Sequence, residues 1–409
     1  MHGRRTGVWI WLLCVFGLVL ASPSRAKPVQ GDAGTLLAHA ESDTEIEVRL
    51  RQFEPAPIGV AAERLTPRDL KLLGKLIEAA DWLDRVFWEQ VSDVGRPWYE
   101  SLLAEGGQRA TRLARLMAIH YGPWDRLRDN QEFIGSRSRP DGAGFYPSDA
   151  SRRELDAYLS AHPEEIGTLM GPYSVVRRKG DGFVAIPYGE KFRTELSRAG
   201  TALREAAGYA KDDALEEFLV ARADALLSGD YLESEMAWME TAASPLIVAF
   251  GPYEFYEDHL WGVKASFEAI IALRDDQETA RFAALAGRME ELVAGLPLPE
   301  TCRARLSAKK QAPVTIADEI YAAGETRAGA QTSAFSLPND VRVRQKKGSR
   351  QVILRNVARA KFNHSWQPLS RHVIAEDQLV HLDFNSYYHL LVATQLAHGI
   401  TPSLGEDGE

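Results

Sequence analysis

TPRDLKLLGKLIEAADWLDRVFWEQV, residues 66–91, decides how the rest of this chain is read. Thr66 followed by Pro67 and Asp69 is a helix start, because a hydroxyl can take an orphan backbone N–H and proline presets the first helical φ. Leu70, Leu73, Ile77, Ala80, Leu83, Phe87 and Val91 then return at spacings of three and four, which predicts one apolar face along the whole stretch. Helical patterns recur at 98–120, 151–168, 190–209, 212–228, 262–274, 277–295 and 314–322. Strand signals are fewer. SVVRRKGDGFVAIP (174–187) reads as a hairpin of 174–178 and 183–187 joined by the loop Lys179-Gly180-Asp181-Gly182, and 341–343 is expected to pair with 352–354 across Lys347-Gly348. Helices dominate and the β hairpins stand apart from them, so the expected class is α+β, predominantly helical, rather than alternating βαβ units.

At 409 residues the chain is too long for one ordinary core, and two lobes are expected. A net charge of −9 argues against a phosphate-backbone binder, so no nucleic-acid partner is expected, and the basic run 342–350 reads as a solvated hairpin. Residues 1–26 have a basic start (Arg4, Arg5), an apolar stretch from Val8 to Leu20 and small residues at Ala21 and Ala26. That is the pattern of a signal peptide, too short to span a bilayer, and it predicts a periplasmic or secreted protein with no membrane association once the signal is removed. Cys14 does not sit at the end of a lipobox. Its removal leaves Cys302 alone, so no intramolecular disulfide is expected. Residues 27–60, rich in Pro, Gly, Ala and Glu, are expected to be an extended N-terminal segment.

Five further stretches occur in a telling order: IHYGPWDRL (119–127), GAGFYP (142–147), MAWM (236–239), GPYEFYED (251–258) and SLPND (336–340). With them the chain resembles the bacterial branch of the dipeptidyl peptidase III-like (M49-like) zinc metallopeptidases, from about Leu65 to Gly399. The resemblance implies a two-lobed architecture, with a lower lobe of helices and small β structure at 61–275 and a partial upper helical lobe at 276–409. It also implies an ancestral activity, the zinc-dependent release of dipeptides from peptide amino termini, and short peptides as partners.

In the resembled family an HExxxH or HExxH helix supplies two histidines to zinc, its glutamate activates water, and a later helix adds a glutamate ligand. VATQLAHG (392–399) stands in that place. In the longer register Ala393, Thr394 and His398 occupy the motif positions; in the shorter one they are Thr394, Gln395 and His398. His398 is therefore the single metal-ligand candidate, no catalytic residue is carried over, and the third ligand is expected beyond Glu409. One imidazole is too few for a catalytic zinc, and an amide has no useful basicity near neutral pH. The chain is accordingly expected not to hold zinc tightly, and to be either a peptidase homologue inactive or truncated as written or, alternatively, a non-catalytic peptide-binding protein. A rebuilt site from His381, Asp383 and His389 would need a bend near Asn385; otherwise Tyr387, Tyr388, His389 and His398 are packing residues.

The peptide-recognition half carries over better. The resemblance assigns Glu254 and Tyr256 to the cleft that holds a substrate's amino terminus, and Asn339 to a backbone clamp, with Ser336 replacing the family's first asparagine. A partly desolvated carboxylate does pair well with an ammonium. The alternative reading makes Glu254, Tyr256 and Glu257 a solvated helix start. Trp124, Asp125 and Trp238, also shared, are expected to serve packing. Loss of cover over Leu390, Leu391, Leu396 and Ile400 would make the upper lobe prone to self-association.

Overall fold

The computed structural model describes residues 31–286, 291, 295, 297, 299, 300 and 314–400. The signal-like segment, Cys14 and Cys302 lie outside these.

The segment expected to be extended contains two helices instead. Asp32 caps α1 (Ala33–His39) and Ser42 caps α2 (Asp43–Leu50). Each is too short to show a helical period, yet Leu36 and Ile46 are fully buried. Arg49 ties the segment down with 2.7 Å ion pairs to Glu41 and to buried Asp125.

Thr66 opens α3 (Pro67–Val91) with the reciprocal cap its sequence requires: Asp69 accepts the Thr66 N–H at 2.9 Å while the Thr66 side chain faces the Asp69 N–H. The buried stripe runs through Leu72, Leu76, Ala79, Leu83, Val86 and Phe87. Of the predicted face, Ala80, Leu83, Phe87 and Val91 are buried and Leu73 and Ile77 half-buried against the core, while Leu70 is exposed. The pattern at 98–120 divides at Gly106, whose φ of 68° no helix accepts, into α4 (Gly95–Glu105) and α5 (Gly107–His120). A small ladder of β1 (Trp124–Asp125) and β2 (Gln131–Glu132) follows. Pro163 separates α6 (Arg152–Ala161) from α7 (Ile166–Leu169). The expected hairpin forms as β3 (Ser174–Lys179) and β4 (Gly182–Pro187), with a tighter turn than the four-residue loop read from sequence: Lys179 pairs with Gly182. Helices α8 (Tyr188–Lys191), α9 (Arg193–Ala207), α10 (Asp213–Ser228) and α11 (Leu232–Glu240) complete this part.

The largest departure from the sequence reading is a five-stranded sheet of β5 (Leu246–Glu254), β6 (Ser266–Arg274), β7 (Val314–Gly324), β8 (Ala334–Leu337) and β9 (Arg350–Leu354), in the order β5-β6-β7-β9-β8. All pairs are antiparallel except β7 with β9. The stretches 262–274 and 314–322, expected as helices, are β6 and β7. Eight of the nine residues of β6 are buried, so its apolar residues do not alternate and periodicity cannot separate strand from helix. The expected 341–343 strand is instead α13 (Val341–Lys347), capped by Asp340, and β9 pairs with β7 and β8. Strands from both sides of residue 275, where the lobe boundary is expected, share this sheet.

One core fills the space between the sheet, α3, α9 and α10. Another lies under α12 (Asp276–Ala286), where Phe282, Val314, Ile316 and Ile353 meet Tyr388, Val392 and Leu396. The last three belong to α16 (Phe384–Ile400), which follows α14 (Arg355–Lys361) and α15 (Gln367–Val373).

Candidate functional site

The site grows from the end of β5. Eight residues of that strand are buried; Glu254, the ninth, is half-buried at the rim, where a register shift in the β5–β6 pairing turns the chain out of the sheet. The solvated helix start is thereby excluded: Glu254 ends a strand. Asp258 then fixes the departing loop. Its carboxylate accepts the N–H groups of Leu260, Trp261, Val263 and Lys264 at 2.9–3.0 Å and the Tyr146 hydroxyl at 2.9 Å. Glu257, buried, is gripped by two guanidiniums, Arg126 and, at 2.6 Å, Arg139. Their charges hold its carboxyl below the usual range although burial alone would raise it.

Between these loops and β8 lies a cavity of about 380 Å³. Glu254, Tyr256 and Glu257 enter it from the end of β5, Glu268 from β6, Glu325 from the turn after β7, and Arg126 from the loop after β1. Ser333, Ala334 and Phe335 line it at β8, the last strand of the sheet, which pairs only with β9. Gly324 makes the approach possible. Its φ is 70°, and a Cβ there would collide with the Phe267 carbonyl oxygen.

Three of the four carboxylates have no ion pair among the described residues. Glu268 is buried, and loss of water together with the charge of Glu254 pushes it up to about 8. Burial, then the charges of Glu257 and Glu268, raise Glu325 well above the carboxylate range. Glu254 is also raised by burial, opposed by the Tyr256 hydroxyl against it. The result is a concave pocket lined by three carboxyl groups without ion-pair partners among the described residues, which suits a cationic group.

Glu254 and Tyr256, singled out in the sequence, thus meet in one pocket. Asn339 does not join them there. Its amide donates to the Tyr253 carbonyl at 2.9 Å and lines a separate cavity of about 40 Å³ with Arg222, Glu235 and three tyrosines. That bond links the end of β8 to β5, the two edges of the sheet. Trp124 and Trp238 are buried and spend their indole N–H groups on carbonyls, as packing residues do. Glu268 and Glu325 escaped the sequence reading. The signal was there for Glu268, a lone carboxylate in Ser266-Phe267-Glu268-Ala269-Ile270-Ile271.

Residues 174–383 match the sequence model of Peptidase family M49. The chain belongs to peptidase family M49. It is similar to the structure of DPP III from Caldithrix abyssi, at 36% identity and a TM-score of 0.82, over 87% of this chain and 67% of that one. Dipeptidyl-peptidase III from Corallococcus sp. strain EGB is similar at 31% identity and a TM-score of 0.78, over 90% of this chain and 67% of that one. Nudix hydrolase 3 of Arabidopsis thaliana is 28% identical over 411 residues, covering 87% of this chain. This M49 chain spans about half the length of that curated relative, 52%.

A catalytic zinc at α16 would need imidazole and carboxylate ligands from its side chains. Thr394, exposed, gives its hydroxyl to the Leu390 carbonyl at 2.9 Å, and Gln395 offers an amide. His389 lies 2.6 Å from the Asn385 carbonyl through Nδ1, while Asp383 caps the helix by accepting from Asn385, Ser386 and the Ser386 hydroxyl. His381, Asp383 and His389 therefore do not assemble. The His398 side chain lies outside the described residues. The described side chains at the motif positions, Thr394 and Gln395, do not fit a catalytic zinc. Among the described residues one grouping has ligand spacing, His162, Glu164 and Glu165 after α6, and there the Tyr158 hydroxyl already donates to Glu165.

Proposed function

We propose that this M49 chain binds short peptides by their free amino terminus, in the pocket of Glu254, Glu268 and Glu325, without zinc chemistry at α16. The observation that carries the reading is three carboxylates around one cavity with no ion pair among the described residues, set against the open edge of β8. A peptide ammonium supplies the missing charge, and its backbone can extend the sheet beyond β8, since an edge strand has unpaired N–H and C=O groups. Tyr256, 72% exposed, stands at the mouth and can close on the first residues of the peptide. The described side chains of α16 favour binding over dipeptide release. Residues 1–26 support export to the periplasm or beyond, and no helix among the described residues is long and apolar enough to cross a membrane.

Calorimetry with a tetrapeptide and its acetylated form tests the reading. The free amine is expected to bind more tightly, and Glu254→Gln to weaken it by roughly 1.5–3 kcal/mol, the worth of a hydrogen bond to a charged group. Equal affinity for both peptides would remove it.

A further inference from the structure

The pocket holds more carboxyl groups than one peptide ammonium can pair. Glu257 is matched twice over, by Arg126, which lines the cavity, and by Arg139; among the described residues no other cation lines it. That leaves Glu254, with the Tyr256 hydroxyl against it, from β5, Glu268 from β6 and Glu325 from the turn after β7. Thr326, Thr332, Ser333, Ala334 and Phe335, on the remaining walls, are neutral. Three neighbouring carboxylates in a largely buried space cannot all be ionised without cations, because each loses its water and repels the others. One ammonium accounts for one of them.

We infer that Glu268 and Glu325 hold protons in the free pocket and that docking of a peptide ammonium expels one of them, so that peptide binding is coupled to pH. This inference rests on the amino-terminus reading above and adds its regulation. Glu268 lies inside β6 at 3% exposure, with Glu254 as its charged neighbour, and both oxygens of Glu325 are shielded from solvent. Burial pushes Glu268 up to about 8, and Glu325 is raised by burial and by the charges of Glu257 and Glu268. A positive charge entering the cavity reverses part of that effect by favouring the ionised forms. Protons then leave at any pH between the bound and the free titration points, and affinity rises with pH across that window by up to about tenfold per unit for each proton released. The rise ends near pH 8, where a peptide α-amino group loses its own proton.

The test is titration calorimetry of the full chain with a free-amine tetrapeptide, at neutral pH, in two buffers of different ionisation enthalpy. Roughly one proton released per peptide is expected, with affinity rising about tenfold from pH 6 to pH 7. Glu268→Gln and Glu325→Gln, made separately so that one folding failure does not end the test, should each bind with a shallower pH slope and fewer protons released. Binding with the same heat in both buffers and no pH slope would overturn this inference and leave amino-terminus docking standing. Absence of binding to any free-amine peptide would remove both.

Discussion

Glu268 has a consequence for folding that needs no ligand. Its folded-state titration point, about 8, lies above that of an unfolded glutamate, so the folded chain binds the extra proton. Its contribution to stability is therefore fully present below the unfolded value and is lost as pH rises through the folded one. Between about pH 4.5 and pH 8 that loss approaches tenfold in the folding equilibrium per pH unit. Glu257 works in the opposite sense. Its carboxyl is held down by Arg126 and Arg139, so its share is present at neutral pH and fades in acid. Urea melts of the wild type and of Glu268→Gln across this range separate the two. The variant is expected to lose less stability toward pH 8 than the wild type; parallel pH curves would mean that Glu268 is ionised in the folded chain.

At the scale of elements, legibility followed exposure. Helices with one wet face, α3 and α10, could be read from spacing and caps, and the β3–β4 hairpin from its glycines. The central sheet could not, because β5 and β6 are buried on both faces and β7 nearly so, and a strand without alternation resembles a buried helix. The site shared that fate. Glu254 and Tyr256 were legible through resemblance, while Glu268 and Glu325 depend on strand pairing that brings residues far apart in sequence to one rim. The same burial argument predicts local stability. In α15 only Ser370 is buried, and the turn Glu376–His381 has no buried residue, whereas α3 buries eleven. Amides of 367–381 should therefore exchange much faster than those of α3, with protection returning in α16 near Tyr388 and Val392, which pack on Phe282. Uniform protection from 367 to 396 would contradict this.

Across the whole molecule, of the four apolar residues expected to be uncovered near the end of the chain, Leu390 is exposed at 65%. Leu396 is buried in the core under α12 and Leu391 packs against it; the Ile400 side chain lies outside the described residues. The exposed apolar residues are Trp366, Leu369 and Val373, at 51%, 60% and 73%, with Val380 and Leu390 nearby in sequence. Trp366, Leu369 and Val373 are three and four residues apart, so they share one side of the helical run through α15. All three stay exposed, although the Trp366 ring meets that of Tyr387 at 5.5 Å. Apolar faces of this kind drive association when contiguous, and the proposed outcome is reversible self-association of the purified chain that strengthens with concentration. Charge on the same face should abolish it, because a buried unpaired carboxylate costs more than the apolar contact returns. Sedimentation velocity of the wild type beside the double variant Leu369→Glu, Val373→Glu makes the comparison. A wild type that remains monomeric at every concentration, or a variant that associates equally, would show that this face is not where copies meet.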